Sequence, residues 1–166
     1  AHEKIRLLND LRNRFPESRL KFDMVMEIAQ TLVAEKRFDE SISYLSELQN
    51  NSEAQRHKPA VSQLLGVVYY NLDQSDKALQ SYRDLFGNYP RSDEAKDALP
   101  SVRQLFMDQG NTDGYFQFIA TYGLNLGVNE ADSLQFASSY LYYVSGNYDK
   151  AIPGFVRYTS LYTTGV

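Results

Sequence analysis

The chain contains no cysteine. That excludes disulfides, zinc–thiolate sites, iron–sulfur clusters and cysteine nucleophiles, and it suits a reducing or an oxidising compartment equally. Histidine is scarce: His2 stands at the start and His57 in the charged stretch EAQRHKP, and neither has a histidine or carboxylate four residues further on. No metal site or catalytic triad is expected from them. P-loop, G-x-S-x-G and G-x-G-x-x-G patterns are missing as well. No apolar run approaches the roughly 18 residues that cross a bilayer. The opening AHEKIRLLNDLRNRF lacks an apolar signal core with a small-residue cleavage site. There is no run of five basic residues, and the net charge is −4. Nucleic acid and anionic lipid, which need clustered Lys and Arg, are excluded as main targets.

Tryptophan is absent too, yet there are 13 tyrosines. Tyrosine pairs a large apolar body with a polar tip, so it serves wet interfaces and half-buried helix seams alike. Its placement suggests the second use. In LLGVVYYNLDQSDKALQSYRDLFGNYP (64–90), Ala78 has Tyr69 nine residues before it and Tyr82 four after. Ser41 has Leu32 and Leu45 at those offsets, Tyr115 has Phe106 and Ile119, and Ala151 has Tyr142 and Phe155. Lys4, a poorer match, is followed by Leu8. The markers at 4, 41, 78, 115 and 151 are 37, 37, 37 and 36 residues apart.

A fixed period of that size marks stacked helix pairs, since it holds two helices of about 13–15 residues with short turns. The spacing predicts an all-α chain of about nine helices: 2–14, 20–36, 39–50, 59–73, 76–89, 93–109, 113–122, 130–145 and 148–162. Asp39, Asp76, Asp113 and Asp149 each precede a marker by two residues. They are expected to accept orphan N–H groups and meet the positive end of the second helix. RFPES and NYPRS, near copies, end helices and offer a serine to the next one. Pro100 and the Pro153–Gly154 pair fall inside expected helices and should kink them or shift their starts. TYGLNLGVNEADS (121–133) reads as the longest loop. The charged SEAQRHKP reads as a solvated turn.

Ser62, Leu65, Gly66, Tyr69, Ala78, Tyr82 and Pro90 together resemble the tetratricopeptide (TPR) pattern, with serine in place of the usual first tryptophan. The last unit is similar to it through Tyr142, Gly146, Tyr148, Ala151 and Phe155. Ala29, Leu32, Phe38 and Leu45, then Phe106, Gly110 and Ile119, carry weaker versions. The resemblance implies a right-handed α-solenoid of antiparallel pairs, with Gly66 and Ala78 permitting close approach and Tyr69 and Tyr82 filling the seam. It spans residues 1–166 as one run: a partial repeat at 1–19, then repeats at about 20–56, 57–92, 93–130 and 131–166. The period is longer than the family's usual one, and Tyr115 replaces a small residue. Repeats ending in YP-x-S-x-x-A, and the segment from Asn111 to Ser133, resemble TPR proteins of the bacterial cell envelope. That implies a periplasmic or outer-membrane-associated place. The chain starts and stops within the repeat pattern without a polar-faced cap, so a larger repeat protein is expected.

Acidic pairs such as Asp39–Glu40 and Asp93–Glu94 fall at helix starts, where the dipole accounts for them. With no convergent nucleophile, base and oxyanion donor, neither catalysis nor a cofactor is expected. A binding scaffold is expected instead, the first helix of each pair lining the concave side. Candidate contacts there are Gln30, Gln63, Tyr70, Asn71, Gln104, Asp108, Tyr140 and Tyr143, on a surface that also takes in Met26, Val33 and Phe136. None of these is Lys or Arg, unlike the basic clamp of TPR domains that hold acidic tails. The pattern suits an uncharged or mildly basic peptide or protein segment. Tyr140 and Tyr143 could equally pack on a neighbouring repeat. A rival use is a spacer or self-assembly module, associating through exposed end repeats.

Overall fold

The structure, a computed structural model, describes residues 1–162, the side chains of Val128 and Asn129 excepted. Among the described residues it is helical without strands: α1 (His2–Arg14), α2 (Lys21–Ala34), α3 (Phe38–Asn50), α4 (Lys58–Asn71), α5 (Ser75–Asn88), α6 (Asp93–Asp108), α7 (Thr112–Thr121), α8 (Val128–Val144) and α9 (Tyr148–Leu161). A 3-10 helix, Ser52–His57, joins α3 to α4. The last expected repeat runs on to 163–166, which lie outside the described residues. The chain divides into two compact units, Ala1–Leu105 and Phe106–Val166.

One turn is built the same way in every pair. α2, α4, α6 and α8 are each followed by a residue in the left-handed region: Lys36 (φ 59°), Asp73 (φ 56°), Gly110 (φ 62°) and Gly146 (φ 76°). The next N–H then reaches back across the helix end. Arg37 donates to the Leu32 carbonyl at 2.9 Å, Gln74 to Tyr69 at 2.8 Å, Asn111 to Phe106 at 2.9 Å and Asn147 to Tyr142 at 2.9 Å. This is the Schellman closure, which satisfies terminal carbonyls and reverses the chain within three residues. So short a connection makes α2 and α3, α4 and α5, and α8 and α9 antiparallel neighbours.

Arg37, Gln74, Asn111 and Asn147 are also the N-cap residues of α3, α5, α7 and α9. That corrects the expected role of the aspartates. Asp39, Asp76, Asp113 and Asp149 lie two positions past the N-cap and sit in the first turn, where the dipole favours them. Asn111 caps α7, accepting from the Gly114 N–H at 3.0 Å. Ser92 holds the start of α6 as its position implied, accepting from the Ala95 N–H at 3.1 Å. Neither proline moved a boundary: α6 still starts at Asp93 and α9 at Tyr148.

In the first unit the core is a stripe from α2, α3 and α4, including Phe22, Val25, Met26, Ala29, Leu45, Leu48, Val61, Leu65 and Val68. Met26 therefore belongs to the core and not to an open surface, because its helix turn faces α3 and α4. Between α4 and α5, Gly66 lies under the Tyr82 ring so closely that a Cβ there would stand 2.5 Å from Cε1 and Cζ. Tyr82 is 1% exposed. The expected seam of Gly66, Ala78 and Tyr82 is present, with Tyr69 at its edge beneath the Lys77 ammonium, 5.3 Å from the ring centre. In the second unit Tyr115 stands where Ser41 and Ala78 stand in their pairs and is fully buried, its ring 6.1 Å from that of Phe106. Phe118 closes the same cluster, 6.0 Å from Phe106.

The segment SEAQRHKP is solvent-exposed at Ser52, Glu53, Gln55 and Arg56, as expected, but it is helical and not a simple turn. It forms the 3-10 helix that lays Arg56 against Asp23 of α2, brings His57 Nε2 to 3.0 Å from the same carboxylate, and buries Ala54. The loop expected over 121–133 is shorter, since α8 begins at Val128.

Candidate functional site

The side chains singled out from sequence divide between the two units. In the first unit Gln30 is exposed on α2, and Gln63 and Tyr70 are partly exposed on α4. Asn71 is exposed, but its amide donates to the Val67 carbonyl at 2.8 Å and is committed to its own helix. Gln104 is exposed on α6. Tyr70 and Gln104 both have interactions within the chain. The Tyr82 hydroxyl emerges from the seam to a hydrogen bond with Ser101, close to Tyr70. Burial, partly offset by that bond, pushes the Tyr82 phenol up to about 12.

In the second unit Asp108 is exposed and engaged within the chain. Tyr140 and Tyr143 fall into a larger pattern. Asp132, Phe136, Tyr140 and Tyr143 are spaced four, four and three residues apart on α8, which puts them on one helix face. The three rings are about half exposed, at 46%, 52% and 54%. Phe136 and Tyr140 are stacked, with centroids 6.2 Å apart and planes 9° apart. Tyr143 continues the row at 6.5 Å from Tyr140, and Tyr148 follows at 5.8 Å. From α9, Phe155 and Tyr158 meet Phe136 edge-on at 5.9 and 5.3 Å. Tyr140 and Tyr143 thus pack on rings of their own helix pair while leaving half their surface to solvent.

Asp132 was missed by sequence reasoning, because its only signal is a carboxylate on a stripe that turns aromatic four residues later. It is 5% exposed. The Tyr158 hydroxyl donates to it, which holds that phenol above its usual range, whereas Oδ1 has no hydrogen-bond partner. α8 carries Glu130 and Asp132 and neither Lys nor Arg. Beside this face, a cleft of about 290 Å³ is lined by Asp113, Ser138, Tyr142, Asp149, Lys150 and Arg157, among others, and balances acid with base.

No group of three or more His, Asp or Glu that could hold a metal occurs among the described residues. His57 has the partner its sequence neighbours did not offer, Asp23, but no nucleophile accompanies the pair in the contacts described. No helix among the described residues is long and apolar enough to cross a membrane.

Residues 61–92, the α4–α5 pair and its following turn, match the family model of the tetratricopeptide repeat. Among curated proteins no match was found. The repeat is of a kind that serves protein–protein interaction. Its matched segment holds the Gly66–Tyr82 seam, and the turn that joins its helices recurs in the other pairs. Residues 61–92 thus form a tetratricopeptide-type repeat, within a chain whose other described helix pairs close with the same turn.

Proposed function

We infer that the protein is a non-enzymatic scaffold that holds a peptide or protein segment on the faces of its first-of-pair helices. The observation that carries this reading is the half-exposed aromatic row Phe136–Tyr140–Tyr143 on α8. A few rigid aromatic anchors dominate most protein interfaces, and tyrosine adds a hydrogen-bonding tip at low entropy cost. Gln30, Gln63, Tyr70 and Gln104 give the first unit amide and phenol chemistry of the same adaptable kind, with Asn71 as polar margin, and Asp108 adds a polar group in the second unit. The resemblance of the repeat ends to bacterial envelope proteins makes the periplasm or the outer-membrane surface the place to look for the partner.

Affinity capture tests the reading, comparing the unaltered chain with Tyr140→Ala/Tyr143→Ala and Tyr70→Ala/Gln104→Ala variants. The exposed tyrosine pair should fold normally by circular dichroism and lose the partner. Equal capture by all three chains would contradict it.

A second reading, a spacer or self-assembly module working through its ends, has an observation of its own. Leu7 and Leu11 on α1 and Phe15 just after it are 47%, 45% and 59% exposed, and Ile152 and Val156 on α9 are 62% and 63% exposed. If end faces dominate, sedimentation will show concentration-dependent association that Ile152→Glu/Val156→Glu abolishes.

A further inference from the structure

A buried carboxylate oxygen without a partner is costly, and native structures rarely keep one unless water, an ion or a ligand completes it. Asp132 is such a group, and its surroundings say what would complete it. It shares a helix face with Phe136 and Tyr140, whose parallel rings offer flat, half-exposed π surface. Tyr158, the hydroxyl that already uses the carboxylate, is itself only partly buried and leans edge-on against Phe136 at 5.3 Å. No basic residue of α8 competes for the site, since that helix has none. The two cations of α9, Lys150 and Arg157, belong to the neighbouring cleft with Asp113 and Asp149. An acid framed by aromatic faces is the arrangement that attracts a cation, through ring quadrupoles as well as charge, and a guanidinium stacks on such rings best.

We propose that the α8–α9 face takes an arginine or lysine side chain of a protein partner, stacked on Phe136 and Tyr140 and paired with Asp132. This rests on the reading of that face as a partner-binding surface and adds the chemistry of the residue it selects. Tyr158 turns aside to admit the cation, and its hydroxyl gives up its place on the carboxylate to the incoming N–H groups. The aromatic row beyond, Tyr143 and Tyr148, then contacts the residues flanking the basic one.

The test is an NMR titration of the full 166-residue chain. Three blocked peptides are compared: Gly-Gly-Arg-Gly-Gly, its uncharged citrulline twin, and the same frame with leucine. The arginine peptide should shift the ring signals of Phe136, Tyr140 and Tyr158, and citrulline should bind about tenfold more weakly, the factor that 1.4 kcal/mol represents. Asp132→Asn, which keeps size and removes charge, should abolish the preference while its spectrum reports an intact fold. Asp149→Asn, an exposed acid of the same helix pair, should leave the preference unchanged. Equal binding of all three peptides at the rings would overturn the cation assignment and leave the partner-binding face standing. No ring shift with any peptide would overturn both. Loss of preference in Asp149→Asn to the same degree as in Asp132→Asn would reduce the effect to general charge and overturn the assignment too.

Discussion

Lys36 and Asp73 occupy a backbone conformation that glycine fills at the equivalent Gly110 and Gly146. A Cβ in the left-handed region costs roughly 1 kcal/mol, somewhat less for Asp than for Lys. The turn keeps its shape in all four pairs because two backbone hydrogen bonds enforce it. Lys36→Gly and Asp73→Gly should therefore each stabilise the protein by about 0.5–1 kcal/mol in urea unfolding, with Lys36→Gly the larger. Sequence showed Gly110 and Gly146 as repeat markers, but Lys36 and Asp73 hid the same turn, because a strained residue leaves no compositional trace. Tyr82 adds a pH dependence. Its phenol is pushed up to about 12 because burial opposes the phenolate. A raised pKa in the fold means that the neutral form is favoured there. This contribution is complete below pH 10, the ordinary phenol value, and is lost as pH rises toward 12. Thermal melts across that window should fall less steeply for Tyr82→Phe, although the variant starts lower through loss of the Ser101 bond.

At the scale of the helix, close approach decides which pair is which. Gly66 gains helix propensity on mutation to alanine, by about 1 kcal/mol. Yet its new Cβ would meet Tyr82 ring atoms at 2.5 Å, and the ring is buried and tied to Ser101, so it cannot swing clear. Overpacking of this kind costs about 1–3 kcal/mol. Gly66→Ala should destabilise on balance by about 1 kcal/mol, and the cost should largely vanish in a Tyr82→Leu background, where the contacting ring is gone. α2 and α3 solve the same crossing with Ala29 and Leu45, both buried, so a Cβ is tolerated where the opposing residue lacks a ring. The helices themselves were legible from the 37-residue spacing of apolar seams, to within a residue or two at most ends. The 3-10 helix was not, because Arg56 and His57 are ordered by Asp23, distant in sequence, and no local pattern announces that partner. Met26 was misplaced for a related reason: periodicity locates a stripe but not its full width.

For the whole molecule the question is which surface works. Legibility was lower here. Tyr140 and Tyr143 stood out as aromatic positions on a first-of-pair helix, while Asp132, which gives that face its chemistry, was invisible until its burial was known. Asn71 is exposed and donates to the Val67 carbonyl of its own helix, since an exposed amide near a helix end finds the nearest carbonyl, a bond that the sequence pattern does not announce. The surface proposed to hold a partner protein is the aromatic face of α8. It is tested most directly by replacing Tyr143 with the photo-crosslinking analogue p-benzoylphenylalanine in living cells, beside a control with the same analogue at Gln80, exposed on α5. A discrete crosslinked protein is expected from position 143, lost when Phe136→Ala is added, and none from position 80. Crosslinks of equal yield from both positions, or none from 143, would contradict it.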